Sequence, residues 1–339
     1  MKPVLLVPQT GLLGGAERVL LDWSRALDRP AVLACPPGPL AEAATAAGLD
    51  VAGLPARSLR GGPRGLARLA ARARDIARLT RRYRPAVVVA SGLRPALAAA
   101  AAPLHGARLV TVYHDLAYAR AARLAARRGT SIATSNAVGQ LVQAGHVIHP
   151  GVDLTYWALP DPPPGPPRAL VLGALVRVKR VELALEIAAR VPELELEIAG
   201  AALPGDAPGY AEALRARASQ PDLDGRVRFL GALADPRPAL ARAHCLLHCA
   251  DREAFGLALV EALAAGRPVA APAAGGPLEI VTPDCGRLFP PGDAAQAAAA
   301  LREVVTDSSL RAGARARAAA FDGAQAARRF AALIETAAA

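Results

Sequence analysis

The 339-residue chain reads as an α/β protein built of two doubly wound, Rossmann-like domains. Three observations predict this. Short, wholly apolar runs alternate with stretches of helical period, as parallel strands covered by helices on both faces require. The length exceeds one ordinary core and suits two. Six prolines crowd Pro160–Arg168, a run that cannot enter a sheet interior and prefers a stiff, extended form.

In chain order, Val4–Val7 is a buried strand, followed by the glycine-rich loop Gln9–Glu17 and a helix over Glu17–Leu27. Strands follow at Ala31–Cys35, Ala86–Ala90, Leu109–Tyr113, Ser131–Thr134 and Val147–His149. Before the second of these, Leu66, Leu69, Ala73, Ile76, Leu79 and Tyr83 step by threes and fours. Arg64, Arg68, Arg72 and Arg82 fall largely on the opposite side, an amphipathic helix with a basic face. The second series runs Ala169–Leu172, Leu194–Ala199, Val227–Leu230, Cys245–His248 and Pro268–Ala271, with helices at Val181–Arg190 and Leu257–Ala265. This gives a first domain over 1–158, a proline-rich linker over 159–168 and a second domain over 169–321. A C-terminal helix from about 322 to 339 is expected to pack back on the first domain.

Composition narrows the classes. Hydrophobic residues at 53% and charged ones at 20% fit a globular protein, and no apolar run reaches the roughly 18 residues of a spanning helix. The N-terminus lacks the layout of a signal peptide. Cys35, Cys245, Cys249 and Cys285 make no disulfide framework in a chain this long, which points to a reducing, cytoplasmic setting. His244-Cys245-Leu246-Leu247-His248-Cys249 invites a zinc reading. On a strand, however, the two histidines would face one way and the two cysteines the other. No metal is expected.

The net charge of +11 is uneven. Residues 57–128 hold sixteen arginines against Asp75 and Asp115, a local balance of +14. That basic region fits an anionic membrane or acceptor, or a plain solvated face. It fits nucleic acid poorly, since no nucleic-acid-binding motif accompanies it.

In open parallel sheets, ligands sit at the carboxyl ends of the strands, so the loops after strands carry the chemistry. The first, Gln9-Thr10-Gly11-Leu12-Leu13-Gly14-Gly15-Ala16-Glu17, lets a backbone approach a phosphate at a helix start. Its spacing fails the dinucleotide fingerprint. More specific is Glu253-Ala254-Phe255-Gly256-Leu257-Ala258-Leu259-Val260-Glu261: a loop carboxylate, a helix start and a second carboxylate about two turns on.

Here the sequence resembles family 4 of the retaining glycosyltransferases, whose signature is Glu, seven residues, Glu. The likeness extends to Gly14-Gly15-Ala16-Glu17, His114-Asp115, Pro150-Gly151-Val152-Asp153, Phe229-Leu230-Gly231 and Gly275–Val281. It implies the GT-B fold, two Rossmann-like domains facing a central cleft, and transfer of a sugar from a nucleotide-sugar to an acceptor without a metal or other cofactor. A UDP-sugar is favoured and GDP-mannose is the alternative. By the same resemblance, Glu253 lies beside the transferred sugar, with backbone N–H groups near Phe255, Gly256 and Leu257. Glu261 accepts from ribose hydroxyls, and Leu230 joins the donor site. Gly14, Gly15 and Lys179 contact the diphosphate, and His114 faces the sugar.

The chain departs from the family in one place. The family has Gly-Arg after the first strand of its second domain, with lysine five residues past that arginine. Here Gly173-Ala174 precedes Lys179. Arginine grips phosphate with two parallel bonds and alanine cannot, so Arg177 or Arg180 is expected to supply the charge. Rival readings are a non-catalytic nucleotide-sugar-binding relative and another enzyme of the same fold, such as an epimerase or phosphorylase.

Overall fold

The computed structural model describes residues 1–56, 63–117, 119–203 and 209–339. They form two compact units, Met1–Gly151 with Gly323–Ala339, and Val152–Asp322.

The first unit carries a parallel sheet of β1 (Val4–Val7), β2 (Ala31–Cys35), β3 (Asp50–Gly53), β4 (Val87–Ser91), β5 (Arg108–Tyr113), β6 (Thr130–Ala133) and β7 (His146–Val147). Their spatial order is 3-2-1-4-5-6-7. The helices between them are α1 (Gly15–Ser24), α2 (Pro39–Ala46), α3 (Pro63–Tyr83), α4 (Leu93–Ala101), α5 (Ala119–Ala126) and α6 (Asn136–Val142). Every residue of β1 and β4 is buried, which is why both read as unbroken apolar runs.

The second unit holds β8 (Arg168–Leu172), β9 (Glu195–Ala199), β10 (Val227–Gly231), β11 (Cys245–Leu247), β12 (Val269–Pro272) and β13 (Gly286–Phe289), again parallel, in the order 10-9-8-11-12-13. Its helices are α7 (Val181–Ala189), α8 (Tyr210–Ala218), α9 (Arg237–Arg242), α10 (Leu257–Ala264), α11 (Pro277–Ile280), α12 (Ala294–Thr306) and α13 (Leu310–Ala318). One core, with Leu185, Ile187 and Leu301, lies on one face of the sheet; another, with Leu259, Leu263 and Trp157, lies on the other. The final helix, α14 (Gly323–Ala338), returns to the first unit. There Phe330 stacks on Trp23 of α1 at 5.0 Å between ring centroids, and Glu335 takes the Arg29 guanidinium at 2.8 Å.

Three expectations need correction. The division falls at Gly151 rather than 158, because Val152 and Trp157 are buried in the second unit's core. The proline-rich run starts within that unit: Arg267 donates to the Pro160 carbonyl at 2.6 Å and Arg315 to Asp161 at 2.6 Å. On α3, Ala73, Ile76 and Leu79 are buried as the periodicity predicts. Leu66, however, is 71% exposed, and Arg72, assigned to the solvated side, is buried along with Asp75. The Arg64 side chain lies outside the described residues. β3 and β13 also escape sequence reading: both are edge strands, and Asp50, Gly53, Gly286 and Arg287 interrupt the apolar pattern.

Candidate active site

Each sheet has one point where neighbouring strands send their connections in opposite directions, β1/β4 in the first unit and β8/β11 in the second. Such a point opens a crevice at the strands' carboxyl ends. Chemistry-bearing side chains gather at both.

In the second unit, the chain leaves β8 through Gly173 into a 3₁₀ turn over Arg177–Lys179, which Arg180 ends in the left-handed region at φ 50°. That turn delivers the Lys179 ammonium to Glu253, Nζ to Oε2, at 2.5 Å. Glu253 comes from the loop between β11 and α10, which is braced by a close backbone approach. The Gly276 N–H donates to the Glu253 carbonyl at 2.9 Å, and a Cβ on Gly276 would stand 2.0 Å from the Phe255 carbonyl oxygen. Phe255 is buried edge-on to Phe321 at 5.7 Å. Gly256, at φ 107°, caps α10, a conformation only glycine adopts readily.

The Glu253 side chain is 14% exposed and that of Lys179 33%. Burial alone would raise the Glu253 carboxyl, but the His248 ring and the Lys179 ammonium outweigh it and hold the group down at about 2. His248 Nε2 stands 3.4 Å from Oε2 and completes no hydrogen bond. The ammonium at 2.5 Å is therefore the firmer anchor. Glu253 is a carboxylate throughout the neutral range.

A second group of charges surrounds the turn. Arg180 donates to Asp251 at 3.0 Å and lies 3.7 Å from Glu182. The Asp251 hydrogen bond keeps its guanidinium above the ordinary value. Tyr210 accepts from the Val181 amide at 3.1 Å and donates to Glu182. Burial and that carboxylate push its hydroxyl up. Arg177 is exposed and lies over the Tyr210 ring, 5.4 Å from its centroid. The two arginines expected to replace the absent Arg at Ala174 are thus engaged with Asp251 and Tyr210.

Glu261 is half-buried and is the fifth residue of α10, little more than one turn in. The helix starts only at Leu257, because Gly256 caps it. Leu230 lies on the edge strand β10, two strands from β8, and packs against the core around Leu240 and Leu246.

In the first unit, Gly14 caps α1 and Gly15 is its first residue. Glu17 folds back, accepting from Thr10 Oγ1 at 3.2 Å, and burial raises its carboxyl. His114 follows β5, its Nε2 2.7 Å from the Ser91 hydroxyl at the end of β4. Burial pushes this imidazole down to about 4, so at neutral pH it is uncharged. Beside Ser91, the Gln9 side-chain oxygen is buried without a hydrogen-bond partner, against Gly92. Sequence reasoning missed Ser91, Gln9 and the approach of His248 to Glu253. The available signal was the same for all three: a polar residue just where an apolar strand ends.

Two doubly wound sheets, each with polar groups gathered at its switch point, make up the GT-B fold. Residues 13–156 match the model described as Glycosyltransferase Family 4, and residues 160–321 match Glycosyl transferases group 1. The chain belongs to the family 4 glycosyltransferases.

Over 137 residues it is 39% identical to a phosphatidyl-myo-inositol mannosyltransferase of Mycolicibacterium smegmatis, covering 39% of this chain and 33% of that one. Over 152 residues it is 30% identical to the lipopolysaccharide core biosynthesis glycosyltransferase LpsE of Rhizobium meliloti, covering 44% and 43%. The match therefore spans less than half the length of either relative. The fold is shared with HepE of Anabaena, solved with UDP and glucose, at a TM-score of 0.85 and 24% identity over 99% of this chain and 100% of that one.

Proposed function

We propose that the protein is a retaining glycosyltransferase that moves a sugar from a nucleoside-diphosphate sugar to an acceptor, without a metal ion or other cofactor. The observation that carries this reading is the Lys179–Glu253 pair, a cation and an ionised carboxylate 2.5 Å apart at the switch point of the second sheet. When the bond between sugar and diphosphate breaks, negative charge collects on the phosphate and positive charge on the sugar. Lys179 supplies the cationic charge that the departing diphosphate needs. Glu253 lies beside the sugar, the start of α10 offers amides to its hydroxyls, and Glu261 holds the ribose. By the family resemblance, the neutral imidazole of His114 is a further candidate to hydrogen-bond the sugar.

A UDP-sugar is the favoured donor and GDP-mannose the alternative. The names of the relatives support both, through the complex with UDP and glucose and the mannosyltransferase. Peripheral contact with an anionic membrane, or an anionic acceptor, belongs to the same reading. On α3, Arg68, Arg74, Arg78, Arg81 and Arg82 are exposed, and Leu66 stands out among them. Among the described residues no helix is long and apolar enough to cross a membrane. The protein is expected to float with vesicles containing anionic lipid at low salt and to be released at high salt; neutral vesicles floating it equally well would remove the basic face from the account.

The test of the donor site is thermal stabilisation by UDP, GDP, ADP and dTDP without added metal. A shift with one nucleotide identifies the donor base and shows that Ala174 is tolerated. Silence from all four, in a folded protein, would favour the non-catalytic reading. A donor consumed only when an acceptor is present separates transfer from epimerisation.

A further inference from the structure

His248 follows the last residue of β11 and is buried, at 6% exposed. Its Nε2 is buried and lacks a hydrogen-bond partner. A buried ring nitrogen left in that state is costly, so its position calls for a reason. Packing does not supply one. Cys245, Leu247 and Cys249 fill the core on one side of the strand, and Leu246 fills the core on the other. The polar atom Nε2 reaches instead to 3.4 Å from Oε2 of Glu253, the oxygen that also takes Lys179 at 2.5 Å. Two nitrogens thus converge on one carboxylate oxygen, and no described residue hydrogen-bonds the other, Oε1.

We infer that His248 is a positioning residue for Glu253: together with Lys179 it holds the carboxylate by Oε2 and so presents Oε1 to the sugar. The inference rests on the reading of Glu253 as the carboxylate beside the transferred sugar. The terminal torsion of a glutamate is soft and roughly two-fold, so a single flexible ammonium leaves the carboxylate plane free to turn. A second donor fixed to a strand end removes that freedom. The donor is an N–H at Nε2, because its neighbour is an acceptor only. A modest closing of the 3.4 Å gap completes the bond when Lys179 turns toward a phosphate.

The experiment compares His248→Leu, which fills the space without a donor, with His248→Gln, whose amide keeps a donor at similar reach. Steady-state kinetics, calorimetric affinity for the nucleoside diphosphate and for the nucleotide-sugar, and melting temperature are read on each. The leucine variant is expected to lose roughly tenfold or more in kcat while its affinity for the diphosphate alone moves by less than about twofold, as loss of a hydrogen bond to a charged group predicts. The glutamine variant should recover most of the loss. Should the leucine variant not fold, His248→Asn, whose amide stops short of Glu253, takes its place. Equal losses in the glutamine and leucine variants, or kcat unaltered in both, would overturn the positioning role. A wild-type protein that binds no nucleotide at all would overturn the glycosyltransferase reading, and this inference with it.

Discussion

Lys179 and Lys2 are the only lysines in a chain whose other cations are arginines. An ammonium is a compact charge with three rotatable donors, whereas a guanidinium is a rigid fork. That difference suits a group that holds Glu253 at one moment and a phosphate at another. Lys179→Ala is expected to lower kcat roughly a hundredfold, the effect of removing one donor to developing charge. Steady-state kinetics on a nucleotide-sugar checks this, with the melting temperature as control for folding.

Among the groups whose titration is displaced, two at the candidate site make stability depend on pH below neutrality. The His114 imidazole lies at about 4 against an ordinary 6.5. As pH falls, the unfolded chain takes that proton first, so the contribution is full above pH 6.5 and is lost between 6.5 and 4. The Glu253 carboxyl lies at about 2 against 4.5. Its contribution is full above pH 4.5 and is lost as pH falls toward 2. The decline of melting temperature with falling pH should therefore be flattened between 6.5 and 4 by His114→Gln and below 4.5 by Glu253→Gln.

At the scale of elements, the loop joining β11 to α10 carries the most constraint. The edge of Phe321 packs on Phe255, Gly256 turns the chain into the helix, and Gly276 closes against the Phe255 carbonyl. Gly276→Ala puts a methyl group where a backbone oxygen stands, and backbone cannot yield as a flexible side chain does. A loss of about 2 kcal/mol or more is expected, together with loss of turnover as Glu253 shifts. Denaturant unfolding and kinetics on the same preparation check both. A variant as stable and active as wild type would show that the loop can move aside. The turn before α7 is held differently, by Tyr210 at Val181 and Asp251 at Arg180. Arg180 thus serves the fold of the turn that aims Lys179.

For the whole molecule, the last seventeen residues complete the first unit rather than the second. Phe330 is fully buried against Trp23. Truncation to alanine should cost the first unit roughly 3–5 kcal/mol, the usual effect of emptying a buried aromatic site. The two tryptophans report on separate units, Trp23 on the first and Trp157 on the second. Unfolding followed by fluorescence in Trp23→Phe and Trp157→Phe backgrounds should place the Phe330→Ala loss in the Trp23 signal. An equal shift in both signals would mean that the units unfold together.

By itself the sequence determined the α/β class, the two-sheet plan and most of the strands, because strands buried on both faces must be apolar throughout and their periodicity needs no partner to be read. Through its resemblance to the family it also picked out Glu253, Lys179 and His114 as candidates. Only the tertiary structure decided which of these meet: the contact of Lys179 with Glu253 and the bond of Ser91 to His114 each join the ends of different strands, and the approach of His248 to Glu253 depends on how the loop after β11 closes. The edge strands β3 and β13, the burial of Arg72 and the division at Gly151 were likewise settled there. The physical reason is common to all of them. Local pattern reports whether a residue faces a core, whereas the partner it finds depends on the order in which strands are laid side by side.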